Sequence, residues 1–249
     1  MAPELSIIIP TYLEAENIPL LLEGIRAALV PAGIPYEVLI VDDNSPDNTQ
    51  AACAEQVTKG HPLRLITRTQ ARGLSTAAIR GFEEAAGSLI ACMDADLSHP
   101  PTALLVMIKT LRTTDAQLVI GSRYVEGGST DAAWGLFRWL NSKVATVLAA
   151  PFSAGARDPM AGFFMMARTT YQQKDALNPI GYKILLEIIV KCRLKRVLEV
   201  PIHFRDRRFG QSKLNLREQI RYLRHLWRLA LYKYLGRGKN AAATQGKAA

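Results

Sequence analysis

Asp94 and Asp96 stand two residues apart where the apolar run Ser88-Leu89-Ile90-Ala91-Cys92-Met93 ends and Leu97-Ser98-His99-Pro100 begins a turn. On an extended segment alternate side chains share a face, so both carboxylates point the same way. They repel each other unless a cation lies between them. Mg²⁺ favours such oxygen ligands and keeps positions open for substrate phosphates. An Asp-x-Asp at the exit of a buried strand therefore predicts metal-bridged diphosphate binding. Asp pairs also occur in solvated turns, and the surrounding sequence has to decide between the two.

The elements that must position this pair alternate. Short apolar runs at Leu5–Ile9, Glu37–Val41, Leu63–Thr67, Ser88–Met93 and Leu118–Gly121 read as strands. Between them, Glu16–Val30, Thr49–Thr58, Ser75–Ala86 and Pro101–Arg112 carry helical spacing, clearest in Ile18, Leu21, Leu22, Ile25 and Leu29. Such alternation predicts an α/β fold with a parallel, doubly wound sheet. Ligands bind such sheets beyond the carboxyl ends of the strands. Pro10-Thr11-Tyr12, Asp42-Asp43, Arg72 and Asp94/Asp96 all fall there. With neither G-x-G-x-x-G nor a Walker A motif, ordinary dinucleotide and P-loop readings lose support. After residue 125 the pattern is less regular: a turn at Gly127-Gly128, a helix over Ala133–Ala149, loop then strand over Ala156–Met166, a helix at Ile184–Cys192, a strand at Val197–Val200 and a long helix at Leu214–Leu235.

Charge is distributed unevenly along the 249 residues. Residues 1–150 hold 11 Lys/Arg against 16 Asp/Glu, and residues 151–249 hold 20 against 6. A basic second half points to an anionic partner such as phosphates or lipid headgroups. Nucleic acid is disfavoured, because that half carries no recognised reading motif. Three widely spaced cysteines, Cys53, Cys92 and Cys192, imply neither a disulfide framework nor a metal site and suit a reducing cytosol. The N-terminus does not read as a signal peptide, and no apolar run of about 20 residues predicts a transmembrane helix.

In the last long helix, Leu216, Ile220, Leu223, Trp227, Leu231 and Tyr234 form an apolar stripe, with Arg217, Arg221, Arg224 and Arg228 beside it. That pairing suits a membrane surface, where apolar side chains sink in and arginines meet anionic headgroups. A helix docked on its own domain with a solvated basic flank is the competing reading. The expected organisation is a catalytic domain over 1–215, an amphipathic interfacial helix over 216–238 and a disordered tail over 239–249.

Six segments in order carry a resemblance: Pro10-Thr11-Tyr12-Leu13-Glu14-Ala15-Glu16-Asn17; Val41-Asp42-Asp43-Asn44-Ser45-Pro46-Asp47-Asn48-Thr49; Met93-Asp94-Ala95-Asp96-Leu97-Ser98-His99-Pro100; Gly121-Ser122-Arg123-Tyr124; Asp158-Pro159-Met160-Ala161-Gly162-Phe163; and Arg207-Arg208-Phe209-Gly210-Gln211-Ser212-Lys213-Leu214. From residue 4 to about 215 the chain resembles family 2 glycosyltransferases with a GT-A fold, of the dolichol-phosphate mannose synthase type. The resemblance implies a Rossmann-like, mostly parallel sheet flanked by helices. It implies inverting, metal-dependent transfer of a sugar from a nucleotide donor to a polyprenyl or dolichyl phosphate. Mannose from GDP-mannose is the best match, and a UDP-sugar donor is the alternative.

The resemblance also implies roles. Asp94 and Asp96 hold Mg²⁺ or Mn²⁺ across the donor diphosphate, and small Ala95 lets the backbone approach it. Asp43, with Asp42 beside it, accepts hydrogen bonds from base or ribose. Pro10, Tyr12, Glu14 and Val41 shape the nucleoside pocket. A lipid phosphate is already ionised at neutral pH and needs a cationic cradle rather than a base. Arg123, Arg138, Arg207 and Lys213 are the candidates, with Ser142 one turn beyond Arg138. Arg123, Arg207 and Lys213 also reach the donor phosphates when a loop hinged at Gly210 closes. Asp158 orients an arginine or the sugar, or acts as a structural cap. Two positions depart from many relatives: Arg72-Gly73-Leu74-Ser75 replaces a lysine with further glycines, and Ser98 replaces a metal-assisting Gln, leaving room for an extra water. Many bacterial relatives continue into transmembrane helices. The resemblance therefore implies a membrane-peripheral form on the cytosolic face, or a trimmed catalytic domain, with a place for a membrane-anchoring partner protein.

Two other classes compete. A polysaccharide-type transferase needs a general base near its acceptor and usually carries Q-x-x-R-W, whereas Arg138-Trp139 here follow Gly135-Leu136-Phe137. A non-catalytic nucleotide-sugar or membrane-binding module predicts donor binding without turnover.

Overall fold

The computed structural model describes residues 2–70, 72–131, 144–205 and 216–236. The predicted alternation is present. β1 (Leu5–Thr11), β2 (Tyr36–Asp42), β3 (Leu63–Thr67), β4 (Leu89–Cys92) and β5 (Leu118–Ser122) are separated by α1 (Asn17–Leu29), α2 (Thr49–Thr58), α3 (Leu74–Glu84) and α4 (Ala103–Thr113). After β5 come β6 (Ser129–Thr130), β7 (Phe164–Ala167), α5 (Arg168–Gln172), α6 (Ile184–Lys191), β8 (Val197–Pro201), β9 (His203–Phe204) and α7 (Leu216–Ala230). A π-helical turn over Leu231–Leu235 extends α7.

Seven strands form one sheet in the order β3-β2-β1-β4-β7-β5-β8. Every residue of β1 is buried, as expected for a strand covered by helices on both faces. Its side chains alternate between two cores. Leu5, Ile7 and Ile9 face α1 and α4, and Ile8 faces α3 and α6. Gly81 of α3 makes the second contact close. A Cβ there would lie 2.4 Å from a methyl of Ile8, so any larger residue would push the helix off the sheet.

The departure from a wholly parallel sheet is β7. It runs antiparallel to β4 (Ala91↔Met165) and to β5 (Val119↔Met165). A parallel strand would deliver its following residues to the carboxyl edge of the sheet. β7 instead delivers the residues before it, so 158–163 arrive beside the exits of β4 and β5. β8 returns parallel to β5, and the short β6–β9 pair (Ser129↔His203) holds Phe204 at the same edge.

α7 packs on α6 and the helical residues 144–149 through Tyr222, His225, Leu226 and Leu229. The Tyr222 hydroxyl donates to the Ala145 carbonyl at 2.6 Å, and Nε2 of buried His225 lies 3.1 Å from Oε2 of buried Glu187. The stripe singled out from sequence points the other way: Ile220, Leu223, Trp227, Leu231 and Tyr234 are all exposed, as are Val144, Val147 and Leu148. The helix does dock on its own domain, through a face other than the stripe singled out from sequence. Most of the predicted Ala133–Ala149 helix and the whole 239–249 tail lie outside the described residues. The three cysteines are free and buried, and burial pushes the Cys53 and Cys192 thiols up to about 12.

Candidate active site

Three strand exits share one piece of backbone chemistry. Leu13 after β1, Asn44 after β2 and Leu97 after β4 all have positive φ (64°, 53° and 63°). Side chains other than glycine adopt that region at a cost, and such residues cluster at functional sites. Each bend folds the chain back over the carboxyl edge.

At β4, the bend at Leu97 returns Ser98 onto Asp96. The buried Ser98 hydroxyl and backbone N–H both donate to Asp96 Oδ1, at 2.5 and 3.1 Å. Ser98 therefore orients the Asp96 carboxylate. Asp94 is partly exposed (27%) while Asp96 is buried. The backbone N–H of Asp94 donates to Nδ1 of His99 at 3.1 Å, so a neutral His99 ring carries its proton on Nε2. The ring stacks on Phe163 and meets Phe204 edge-on. Burial, reinforced by the Arg123 charge, pushes His99 below its usual range against the pull of Asp94, Asp96 and Asp158. Those four charged residues thus surround one neutral imidazole.

The residue pressing on Asp94 is Gly162. A Cβ there would lie 2.9 Å from Asp94 Oδ2 and 3.0 Å from Oδ1. Gly162→Ala is expected to keep the fold, because a carboxylate can swing aside. It should also weaken divalent-ion affinity and activity by about 10- to 100-fold, since ligand placement tolerates little displacement. Manganese titration and turnover measured on one preparation check this.

Arg123, just past β5, meets Asp158 in a bidentate pair: Nε to Oδ2 and Nη2 to Oδ1, both 2.8 Å. Glu199 of β8 accepts the N–H groups of Arg157 and Asp158 and holds the loop in place. Phe204 and Tyr124 lie 5.2 Å from the guanidinium. Burial alone would lower the Arg123 pKa, but the Asp158 hydrogen bonds and charge raise it. Of the alternatives for Asp158, the geometry selects the orientation of an arginine.

The nucleoside side is built at β1 and β2. Asp42 is buried and accepts from the Ser45 hydroxyl and N–H at 2.5 and 3.0 Å, which makes it a turn carboxylate. Asp43 accepts from Arg68 Nε at 2.7 Å and from the Gly73 N–H at 2.6 Å, which anchors those two residues beside the β2 exit. Oδ1 takes both Nε and Nη2 of Arg68, and Oδ2 retains acceptor capacity beyond the Gly73 bond. Tyr12 carries Arg72 at 5.3 Å from its ring centre. Glu14 accepts from the Asn17 amide at 2.6 Å. The Val41 side chain is buried against α3, packed with Ile8 and Gly81. Pro10, paired with Val41 across the sheet, and Ala95 are likewise buried. Arg138, Ser142, Arg207 and Lys213 lie outside the described residues.

Among the described residues no three His, Cys, Asp or Glu side chains form a metal cage. Asp94 and Asp96 do fit a hard dication shared with a substrate. They supply oxygen donors, one is held by Ser98, and the other faces a glycine and solvent. Two participants could not be found by spacing. Arg68 carries no motif, and Lys183 sits 60 residues from Arg123 in the chain. Burial and then Arg123 push the half-buried Lys183 ammonium down to about 8, with Asp158 and Asp94 opposing.

Residues 6–174 match Glycosyl transferase family 2. A dolichol-phosphate mannosyltransferase of Pyrococcus furiosus is 42% identical over 229 residues, covering 91% of this chain. The chain spans 63% of that relative's length. The dolichol-phosphate mannosyltransferase of Saccharomyces cerevisiae is 36% identical over 242 residues, covering 94% of this chain and 90% of the relative. Among solved structures, glucosyl-3-phosphoglycerate synthase from Mycobacterium tuberculosis, in complex with Mn²⁺, UDP and phosphoglyceric acid, has a TM-score of 0.68 at 18% identity. That match covers 93% of this chain and 78% of the synthase, and at such identity it speaks for the fold alone.

Proposed function

The chain belongs to glycosyl transferase family 2, and from that premise we propose that it transfers mannose from GDP-mannose to a polyprenyl or dolichyl phosphate with inversion. The observation that carries the reading is the meeting of the Asp94/Asp96 carboxylates with the Arg123–Asp158 pair at one sheet edge. Two anionic reactants need both a carboxylate-anchored cation and fixed guanidinium groups.

In this reading Asp94 and Asp96 hold Mg²⁺ or Mn²⁺, which when bound neutralises charge on the departing nucleoside diphosphate. Ser98 keeps Asp96 aimed. Tyr12, Glu14 and Asp43 border the nucleoside. A phosphate oxygen of the acceptor attacks the anomeric carbon, and the sugar–diphosphate bond breaks on the opposite face. No proton has to leave the acceptor first, so His99 can remain a neutral spacer. Arg123, pre-oriented by Asp158, stabilises the phosphate charge without reorganising. By family resemblance Arg138, Ser142, Arg207 and Lys213 complete the cradle.

A transfer assay with GDP- and UDP-sugars and short polyprenyl phosphates, with and without Mn²⁺, tests the reading. Product is expected from GDP-mannose only with the dication. Metal-independent transfer or exclusive use of a UDP-sugar would overturn it.

The acceptor also calls for a membrane. Among the described residues no helix is long and apolar enough to cross one. The exposed Leu223 and Trp227 beside Arg221, Arg224 and Arg228 support peripheral docking on anionic lipid. Trp227→Glu should reduce co-sedimentation with anionic vesicles by about tenfold while leaving the melting temperature nearly unchanged. Leu229→Ala, on the opposite, buried face, should do the reverse and cost about 2–4 kcal/mol of stability.

A further inference from the structure

Between α6 and the end of α7 lies a cleft of about 260 Å³ that shares no residue with the catalytic edge. Its ionisable lining is Glu187 and Lys191 from α6, His225 and Arg228 from α7, and Tyr232. The acid among them is already engaged. Glu187 Oε1 accepts the Asn178 N–H at 2.5 Å, and Oε2 faces Nε2 of buried His225 at 3.1 Å. Asp175, whose carboxylate takes the Tyr232 hydroxyl, is engaged as well, by Arg193 at 2.8 Å. The cations are not so matched. Arg228 is half-buried and, among the described residues, makes no ion pair or hydrogen bond. Lys191 donates to the Ala176 carbonyl at 3.1 Å with its ammonium 4.0 Å from the Tyr232 ring centre, and its other N–H groups remain for a ligand. The cleft therefore presents two cations over a floor whose own charges are paired, which suits an anion.

The apolar lining selects the kind of anion. Leu229 and Leu231 complete the cleft. Leu231 is also 38% exposed and belongs to the outward stripe of Leu223, Trp227 and Tyr234. One side chain is thus common to the cleft and to the stripe, so the two surfaces are continuous. A phosphate seated between Arg228 and Lys191 with hydrocarbon attached would lay that hydrocarbon along the stripe. A free phosphate or a sugar phosphate would leave the apolar rim unused.

We propose, resting on the peripheral docking of α7 inferred above, that the α6–α7 cleft takes the headgroup phosphate of an anionic phospholipid. Arg228 and Lys191 grip the phosphate, and Leu231 leads the acyl chains onto the Trp227 face. One seated lipid then fixes the helix on the membrane, in addition to the diffuse attraction of its arginines.

The test compares soluble lipid with vesicles. Dihexanoyl phosphatidylglycerol, dihexanoyl phosphatidylcholine and inorganic phosphate are titrated into the full chain with GDP and Mn²⁺ present throughout. Co-sedimentation with vesicles of phosphatidylglycerol or phosphatidylcholine is measured alongside. Arg228→Gln should weaken dihexanoyl phosphatidylglycerol by about 10-fold, whereas Arg224→Gln, exposed and outside the cleft, should cost less than about twofold. Inorganic phosphate should bind about 10-fold more weakly than the lipid. The His225 imidazole signals, assigned with His225→Gln, should move with phosphatidylglycerol and stay in place with phosphatidylcholine. Trp227→Glu should lose vesicles yet keep the soluble lipid within about threefold. Equal losses in Arg224→Gln and Arg228→Gln would reduce the surface to diffuse charge and overturn the site. Unmoved His225 signals, or inorganic phosphate binding as tightly as the lipid, would also overturn it. Soluble lipid held through Arg228 without any vesicle binding would sink the docking reading and leave the site standing.

Discussion

Asp96→Asn is expected to lower turnover by at least about 10³-fold, equivalent to roughly 4 kcal/mol of lost transition-state stabilisation. The fold should survive. The amide oxygen that replaces Oδ1 can still accept both Ser98 bonds, and the side chain keeps its size in a buried position. On the proposed metal-binding reading, what would disappear is one of two negative charges facing the dication, and with it much of the affinity for the ion. Three measurements separate the possibilities. The melting temperature should shift little, manganese affinity should fall steeply, and activity should stay low even at millimolar Mn²⁺. A variant that turns over normally would remove the metal from the account. A variant that simply unfolds would show Asp96 to be a structural carboxylate.

The second large effect belongs to Asp158→Ala. It removes both acceptors of the Arg123 fork and the partner of the Arg123 backbone N–H, leaving a largely buried guanidinium without its bidentate partner. Breaking a buried pair from one side costs about 3–5 kcal/mol. Activity should fall by at least about 100-fold, because the guanidinium no longer stands where charge develops. Denaturant unfolding and steady-state kinetics read the two effects separately. The double variant Arg123→Ala/Asp158→Ala should be less destabilised than the sum of the singles, since no charge is then stranded. Strict additivity would mean that the two side chains act independently.

These two expectations differ in how far they could be read from the chain. Asp94-x-Asp96 is local: an apolar run, a period-2 alternation and a turn suffice to put both carboxylates on one face. The exits of β1 and β2 were legible for the same reason, and so was their convergence, because a parallel sheet collects its carboxyl ends at one edge. The partition of Asp42 from Asp43 was not. Adjacent residues on a bend point apart, and only the Ser45 turn and Arg68 decide which carboxylate is buried in the turn and which anchors the neighbouring loop.

Position 98 shows the same limit. By type, serine is a weak metal ligand, and nothing in the order of residues indicates that a positive φ at Leu97 folds its hydroxyl back onto Asp96. The Val41 side chain stands in a motif yet belongs to the core, since strand alternation places it under α3.

The amphipathic character of α7 was visible in its spacing, but that helix carries apolar residues on two faces. His225, Leu226 and Leu229 form one, and Ile220, Leu223 and Trp227 the other. Periodicity identifies both and ranks neither. The partner surface of α6 and residues 144–149 takes the first and leaves the second in solvent.

By itself, the order of residues determined most of what depends on near neighbours: the five strands and four helices of the first half, where the carboxylates emerge and which half of the chain is basic, while the short β6, β9 and α5 went unread. Tertiary structure alone decided the pairing of Arg123 with Asp158, the reversal of β7 that brings Gly162 against Asp94, and the outward face of α7. The physical reason is range. Backbone periodicity is set within a few residues, whereas a buried charge finds its partner only after the sheet has chosen its strand order, and packing makes that choice across the whole chain.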